Sequence, residues 1–71
     1  MRNNLKFYRQ QKESLTQAKL AGMVGISETH YQQLEYGLVK PNIYTARRLA
    51  DELGVDVNIL FPYEWEIDLL K

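Results

Sequence analysis

Gln17-Ala18-Lys19-Leu20-Ala21-Gly22-Met23-Val24-Gly25-Ile26-Ser27-Glu28-Thr29-His30-Tyr31-Gln32-Gln33-Leu34-Glu35-Tyr36 is the stretch whose spacing decides the fold. Leu20 and Val24 stand four apart, on one face of a helix, with the small Ala21 beside them. Gly25 follows, a residue that takes a left-handed turn without steric cost, and it ends the first helix. Ile26 plugs the angle, and Tyr31 and Leu34, three apart, anchor a second helix on the same core. Thr16 and Ser27 are the N-caps of the two helices, and Glu28 places a negative charge in a first turn, where the helix dipole favours it. Two short helices meeting at a tight turn are therefore predicted, the first over about 17–24 and the second about ten residues long.

The flanking residues extend the helical pattern. Asn3 or Asn4 can cap a first helix running to about Lys12, with Leu5, Tyr8 and either Phe7 or Arg9 inward. After Gly37 and the loop Lys40-Pro41-Asn42, a fourth helix is predicted from about Ile43 to Leu53, with Ile43, Ala46, Leu49, Ala50 and Leu53 on its apolar face. Gly54 ends it, Asp56 caps a short fifth helix through Leu60, and Pro62 stops the chain's helical part. The fold class is thus all-α, a five-helix domain over residues 1–62. Residues 63–71 form an acidic-aromatic tail in which Tyr63, Trp65, Ile67 and Leu69 alternate with Glu64, Glu66 and Asp68. That period of two belongs to a strand with one apolar face, and a lone strand needs a partner. An intersubunit β-strand is expected, against a short sixth helix or a loose arm.

Size and composition narrow the function. A chain of 71 residues is one domain, with little room for a deep substrate cavity. Without cysteine and with one histidine it builds neither a disulfide framework nor a Cys/His zinc site, so no metal and no cofactor is expected. No catalytic set is suggested by spacing, and His30 reads as a packed or backbone-bonded imidazole. Residues 1–12 are too polar for a signal peptide, and the longest apolar run, Ile59-Leu60-Phe61, is far short of a membrane span. A cytoplasmic protein is expected.

The net charge is zero, but it is unevenly spread. Residues 1–50 carry Arg2, Lys6, Arg9, Lys12, Lys19, Lys40, Arg47 and Arg48 against Glu13, Glu28 and Glu35. Residues 51–71 carry Lys71 against Asp51, Glu52, Asp56, Glu64, Glu66 and Asp68. A basic half with a separate acidic end points to a nucleic-acid surface. The half that holds the excess cations also holds the two-helix stretch, whose residue types fit a helix-turn-helix motif.

At about 100° per residue, Tyr31 and Leu34 turn inward and the opposite side of the second helix carries Thr29, Gln32, Gln33 and Tyr36. Gln can pair with adenine through N6 and N7, and Thr offers a hydroxyl and a methyl to thymine. Gln33 and Thr29 are the leading base-contact candidates, with Gln32 beside them. Glu28 has two readings: it can accept from cytosine N4, or serve the helix dipole alone. Gln17, opening the first helix of the pair, can clamp a DNA phosphate with its amide and the free N–H groups of the helix start. Lys40, Asn42, Tyr44 and Tyr36 are the other backbone-contact candidates.

The segments Leu15-Thr16-Gln17, Leu20-Ala21, Gly25-Ile26-Ser27, Leu34-Glu35-Tyr36-Gly37, Lys40-Pro41 and Leu53-Gly54-Val55 resemble the five-helix DNA-binding domain of the phage-repressor and Cro group, the xenobiotic-response-element family of transcriptional regulators. The resemblance covers about residues 3–61. It implies a sequence-specific dimeric regulator, usually a repressor. It also implies the phosphate role for Gln17, base contacts at the position of Glu28, and a structural ion pair between Arg9 and Glu35. The chain departs from the family pattern in a link between Arg9 and Gln17 that is one residue longer, in Tyr31 for a small branched aliphatic residue, and in Tyr36 for a small polar one.

The expected function is a dimeric repressor that binds double-stranded DNA, localised to the cytoplasm and the nucleoid. Its subunit interface is expected from Val57, Leu60, Phe61, Tyr63, Trp65 and Ile67. The alternative keeps the fold but makes the chain a protein-interaction module, antitoxin-like or a regulatory partner, docking through the acidic tail.

Overall fold

Each helix start is marked by a short polar side chain that accepts from the backbone. In the computed structural model, which describes residues 2–63, the elements are α1 (Leu5–Gln10), α2 (Gln17–Met23), α3 (Glu28–Glu35), α4 (Ile43–Leu53) and α5 (Val57–Leu60). Thr16 accepts from Lys19 N, Ser27 from His30 N, Asn42 from Thr45 N and Asp56 from Asn58 N. Each cap satisfies a donor the helix itself cannot, which typically contributes about 1 kcal/mol. The described residues are all-helical, with no strand among them, as the five-helix reading requires. The expected intersubunit strand, with Trp65 and Ile67, lies outside the described residues.

Two expected boundaries shift, and one expected cap differs. The first helix ends at Gln10 and not near Lys12, because the chain tightens into turns in which Gln11 N bonds Tyr8 O and Lys12 N bonds Arg9 O. α3 has eight residues and not ten, since Tyr36 is its C-cap and Gly37 takes positive φ. Neither asparagine caps α1 in the usual way. Asn3 Oδ1 accepts from Leu5 N while its amide donates to Leu34 O, and Asn4 bonds Ile59 O through its side chain and Leu60 O through its backbone. The two residues thereby tie the chain's start to the end of α3 and to α5. Phe7, one of two residues considered for the interior, is 58% exposed.

Apolar side chains from all five helices meet in one core. Leu5, Leu20, Tyr31, Leu34, Leu49, Leu60 and Phe61 are wholly buried, and Ala21 and Ala46 let the helices approach closely. Burying each Leu contributes roughly 1.5–3 kcal/mol. Leu60 and Phe61 were expected at a subunit interface, and the structure corrects this. Both are sealed inside the protomer and have no side-chain surface to offer a second copy. Ile59, on the solvent side of the same short helix, is half exposed.

The link between α1 and α2 contains a strained residue. Ser14 is the one non-glycine among the described residues with positive φ, at 63°, and its carbonyl accepts from Lys19 Nζ at 3.2 Å. An L-residue in that region carries a steric cost of roughly 1–2 kcal/mol, which glycine avoids at the expense of chain entropy.

One polar cluster crosses the core boundary. The Glu35 carboxylate, with 1% of its side chain exposed, accepts from Arg9 Nε at 2.9 Å and Nη2 at 3.1 Å, from the Tyr31 hydroxyl at 2.6 Å and from Gln17 Nε2 at 3.0 Å. Arg9 also donates through Nη1 to Leu15 O. Side chains from α1, α2 and α3 thus converge on a single anion. Burial by itself would raise the Glu35 carboxyl, but the bonds from Arg9, Tyr31 and Gln17 outweigh it and hold the carboxyl below its ordinary value of 4.5. Burial and the bond to that carboxylate push the Tyr31 hydroxyl above its ordinary 10.0.

Two expectations follow from these geometries. Ser14→Gly should raise stability by up to about 1 kcal/mol, and Ser14→Val should lower it by a similar amount, read as urea midpoints. The cluster limits stability at both ends of the pH scale. In the fold Glu35 binds its proton less tightly than in the unfolded chain, so its contribution is full above about pH 4.5 and is lost as pH falls through the lower native value. Tyr31 binds its proton more tightly in the fold, so its contribution is full below pH 10.0 and declines as pH rises beyond it. Urea melts across pH should therefore give a plateau between these limits. Tyr31→Phe should cost about 1.5–3 kcal/mol on the plateau and remove this residue's share of the alkaline decline. Glu35→Ala should cost about 3–5 kcal/mol, enough to leave a domain this small mostly unfolded.

Candidate nucleic-acid interface

α2 and α3 meet at a turn built from the residues the spacing singled out. Gly25 has φ of 75°, the left-handed conformation the turn needs, and Ile26 N bonds back to Ala21 O. Arg48 reaches across from α4 to donate to Met23 O at the end of α2. Tyr31 and Leu34 are buried against α2, which turns the opposite side of α3 outward.

Thr29 and Gln33 stand on that outer side, both exposed. Gln32 is half-buried and tied down: its Nε2 donates to Gln17 Oε1 at 3.2 Å and to Glu28 Oε2 at 3.4 Å. Gln17 in turn donates to Glu35. A chain of hydrogen bonds therefore runs from the buried Arg9–Glu35 pair through Gln17 and Gln32 to the exposed Glu28. The Gln17 amide, expected to point at phosphate, commits one of its two N–H groups inward to Glu35. The Glu28 carboxylate sits in the first turn of α3, so both readings of it, helix-end charge and base acceptor, fit its position.

The backbone-contact candidates lie beyond the two ends of α3. Tyr36 is 64% exposed and Tyr44, in the first turn of α4, 77% exposed. Lys40 is exposed, with its ammonium 5.7 Å from the centre of the Tyr63 ring. Asn42 Oδ1 is occupied as the cap of α4, which leaves its amide N–H groups to face outward. On the other side an open groove of about 460 Å³ runs between the α1–α2 link and the start of α3, lined in part by Arg9, Lys12, Ser14, Thr16, Gln17 and Glu28. Of the expected interface residues, Val57 and Tyr63 are half-buried, with the Tyr63 ring 5.6 Å from that of Phe61.

Some features escaped the sequence reading. Tyr31 was treated as an apolar anchor, yet its hydroxyl makes the shortest bond to Glu35. Its spacing of four from Glu35 on a helix was the available signal. The inward turn of Gln17 had no sequence signal, since it depends on where α3 crosses α2. His30 was expected to pack or bond through its ring, and it is exposed. Leu38, an apolar side chain 71% exposed between Tyr36 and Lys40, was not singled out. Among the described residues, no three His, Cys, Asp or Glu come together as metal ligands do, and no helix is long and apolar enough to cross a membrane.

Comparison with known proteins places this geometry. The helix-turn-helix family model matches residues 5–60. The chain is 36% identical over 64 residues to an uncharacterized HTH-type transcriptional regulator of Methanocaldococcus jannaschii, covering 90% of this chain and 96% of that protein. The match spans all five helices, so it extends well beyond the two-helix motif alone. The chain belongs to the helix-turn-helix family, in the phage-repressor and Cro group of DNA-binding transcriptional regulators.

Proposed function

We propose that the chain is a dimeric repressor that lays α3 in the major groove of a near-palindromic operator. The observation that carries this reading is the outer side of α3. There Thr29 and Gln33 are exposed on a helix whose inner side is fixed by Tyr31, Leu34 and the Glu35 cluster. A rigid helix with uncommitted hydrogen-bonding side chains is suited to read base edges. Glu28 and Gln32 flank them. Tyr36, Lys40, the Asn42 amide and Tyr44 approach the sugar-phosphate chain beyond one end of α3. At the other end the backbone N–H groups at Gln17 and the second N–H of its amide, with Lys12 nearby, approach it. Such contacts set register and carry no sequence information themselves.

Subunit association in this reading uses the half-buried Val57 and the exposed Ile59 of α5, with Tyr63, Trp65 and Ile67. Two recognition helices related by a twofold axis read half-sites roughly 34 Å apart. The protein acts in the cytoplasm, on the nucleoid.

Two measurements test the reading. Gln33→Ala should relax preference at one base pair of each half-site and cost about 1–3 kcal/mol there, in competition binding against a panel of duplexes. An equal loss on every duplex would make Gln33 a backbone contact instead. Truncation after Pro62 should abolish dimers in sedimentation and weaken operator binding while leaving the five-helix fold intact. Unchanged self-association would remove the tail from the interface, and an intact wild type that selects no duplex at all would move the search to a protein partner for the acidic tail.

A further inference from the structure

The hydrogen-bond chain at the α2–α3 corner begins and ends on carboxylates, and this dictates which way every amide in it points. Glu35 can only accept, so Gln17 must turn Nε2 towards it, as it does at 3.0 Å. The oxygen of Gln17 then faces Gln32, which must present its own Nε2, at 3.2 Å. The same nitrogen meets the second carboxylate, Glu28, at 3.4 Å. Both N–H groups of Gln32 are thus engaged by Gln17 and Glu28. At the Gln32–Glu28 edge, what remains for an incoming ligand is the Gln32 carbonyl oxygen and the exposed Glu28 carboxylate, two acceptors, while Gln17 keeps one amide N–H beyond the bond to Glu35.

We infer that the Gln32–Glu28 edge of this corner reads as a pair of acceptors and selects a base carrying an exocyclic amine, adenine or cytosine, over one carrying a keto oxygen, guanine or thymine. The inference rests on the DNA-binding reading above and refines it. In the major groove adenine N6 and cytosine N4 donate, whereas guanine O6 and N7 and thymine O4 accept. An acceptor placed opposite an acceptor leaves both desolvated and unpaired, which is the larger penalty. Gln32 is therefore a specificity-determining residue of a different kind from Gln33. Gln33 is free to present donor and acceptor together and to pick out adenine, while Gln32 reports only which strand bears the amine. Gln17 acts through Gln32 as a positioning residue.

The test compares four duplexes that differ in the one base pair facing the corner, bound by wild type, Gln32→Leu and Gln17→Met in competition assays at fixed salt. Thermal unfolding followed by circular dichroism checks that each variant is folded. Wild type should favour the two duplexes with A or C on the reading strand over those with G or T by about tenfold or more. Gln32→Leu should lower that ratio severalfold, with the Glu28 carboxylate sustaining the remainder, while preference at the Gln33 pair persists. Gln17→Met, which releases one N–H of Gln32 and lets the amide rotate, should also bring G and T into competition. The inference is overturned if wild type selects G or T at this pair, if Gln32→Leu leaves the preference undiminished, or if Gln17→Met weakens all four duplexes equally, as loss of a mere phosphate contact would. In those outcomes preference at the Gln33 pair remains and the DNA-binding reading stands. Absence of any preference in wild type would reject both.

Discussion

A single buried carboxylate organises this domain. Glu35 belongs to the last turn of α3, yet its oxygens are shared by Arg9 of α1, Gln17 of α2 and Tyr31 of α3 itself. A charge removed from water at this depth is tolerable only when its lone pairs are filled, and here four donor bonds fill them. The requirement acts in both directions. The anion needs the donors, and the donors can reach it together only if three segments of the chain take one relative placement. The cluster therefore specifies geometry where the apolar core, made largely of interchangeable Leu and Ala contacts, specifies compactness.

That placement is what gives α3 an outer side. Tyr31 and Leu34 face the core, Glu35 faces Arg9, and the remaining azimuth is left to Thr29 and Gln33. The two-helix motif alone would orient α3 against α2, but the Arg9 fork, held also by Leu15 O, adds a clamp from α1 and from the link that leads into α2. A helix read by its partner's base edges must hold its side chains to a fraction of an ångström. A bidentate guanidinium–carboxylate pair is well suited to that demand because it fixes orientation as well as distance. Below pH 4.5 and above pH 10 the same cluster becomes the weak point, because the carboxylate and the phenol then favour the unfolded chain.

Much of the architecture was legible because it is local. Thr16, Ser27, Asn42 and Asp56 cap the helices they precede, and Gly25, Gly37 and Gly54 all adopt the positive φ that ends a helix. Where reading by spacing went astray, the cause lay at longer range. Leu60 and Phe61 looked like surface for a second subunit because an apolar run near a terminus has no evident partner in one dimension. In the fold, Asn4 draws α5 onto the start of α1 and closes the core over both. Gln17 opens a helix, which suggested only an outward role, but the crossing of α2 and α3 also places Glu35 3.0 Å from its amide nitrogen and engages one of its two N–H groups.

The order of residues alone determined the number of helices, the caps of α2 to α5, the turn at Gly25, the inward faces of α2, α3 and α4, and the uneven distribution of charge, since each follows from the identity or conformational preference of a few neighbouring residues. Only the tertiary structure decided which polar side chains are spent inside and which are left to face a partner. Arg9, Gln17, Tyr31, Gln32 and Glu35 are all hydrogen-bonding residues of similar appearance in one dimension. A hydrogen bond is made by atoms about 3 Å apart, and that distance is set by how helices cross.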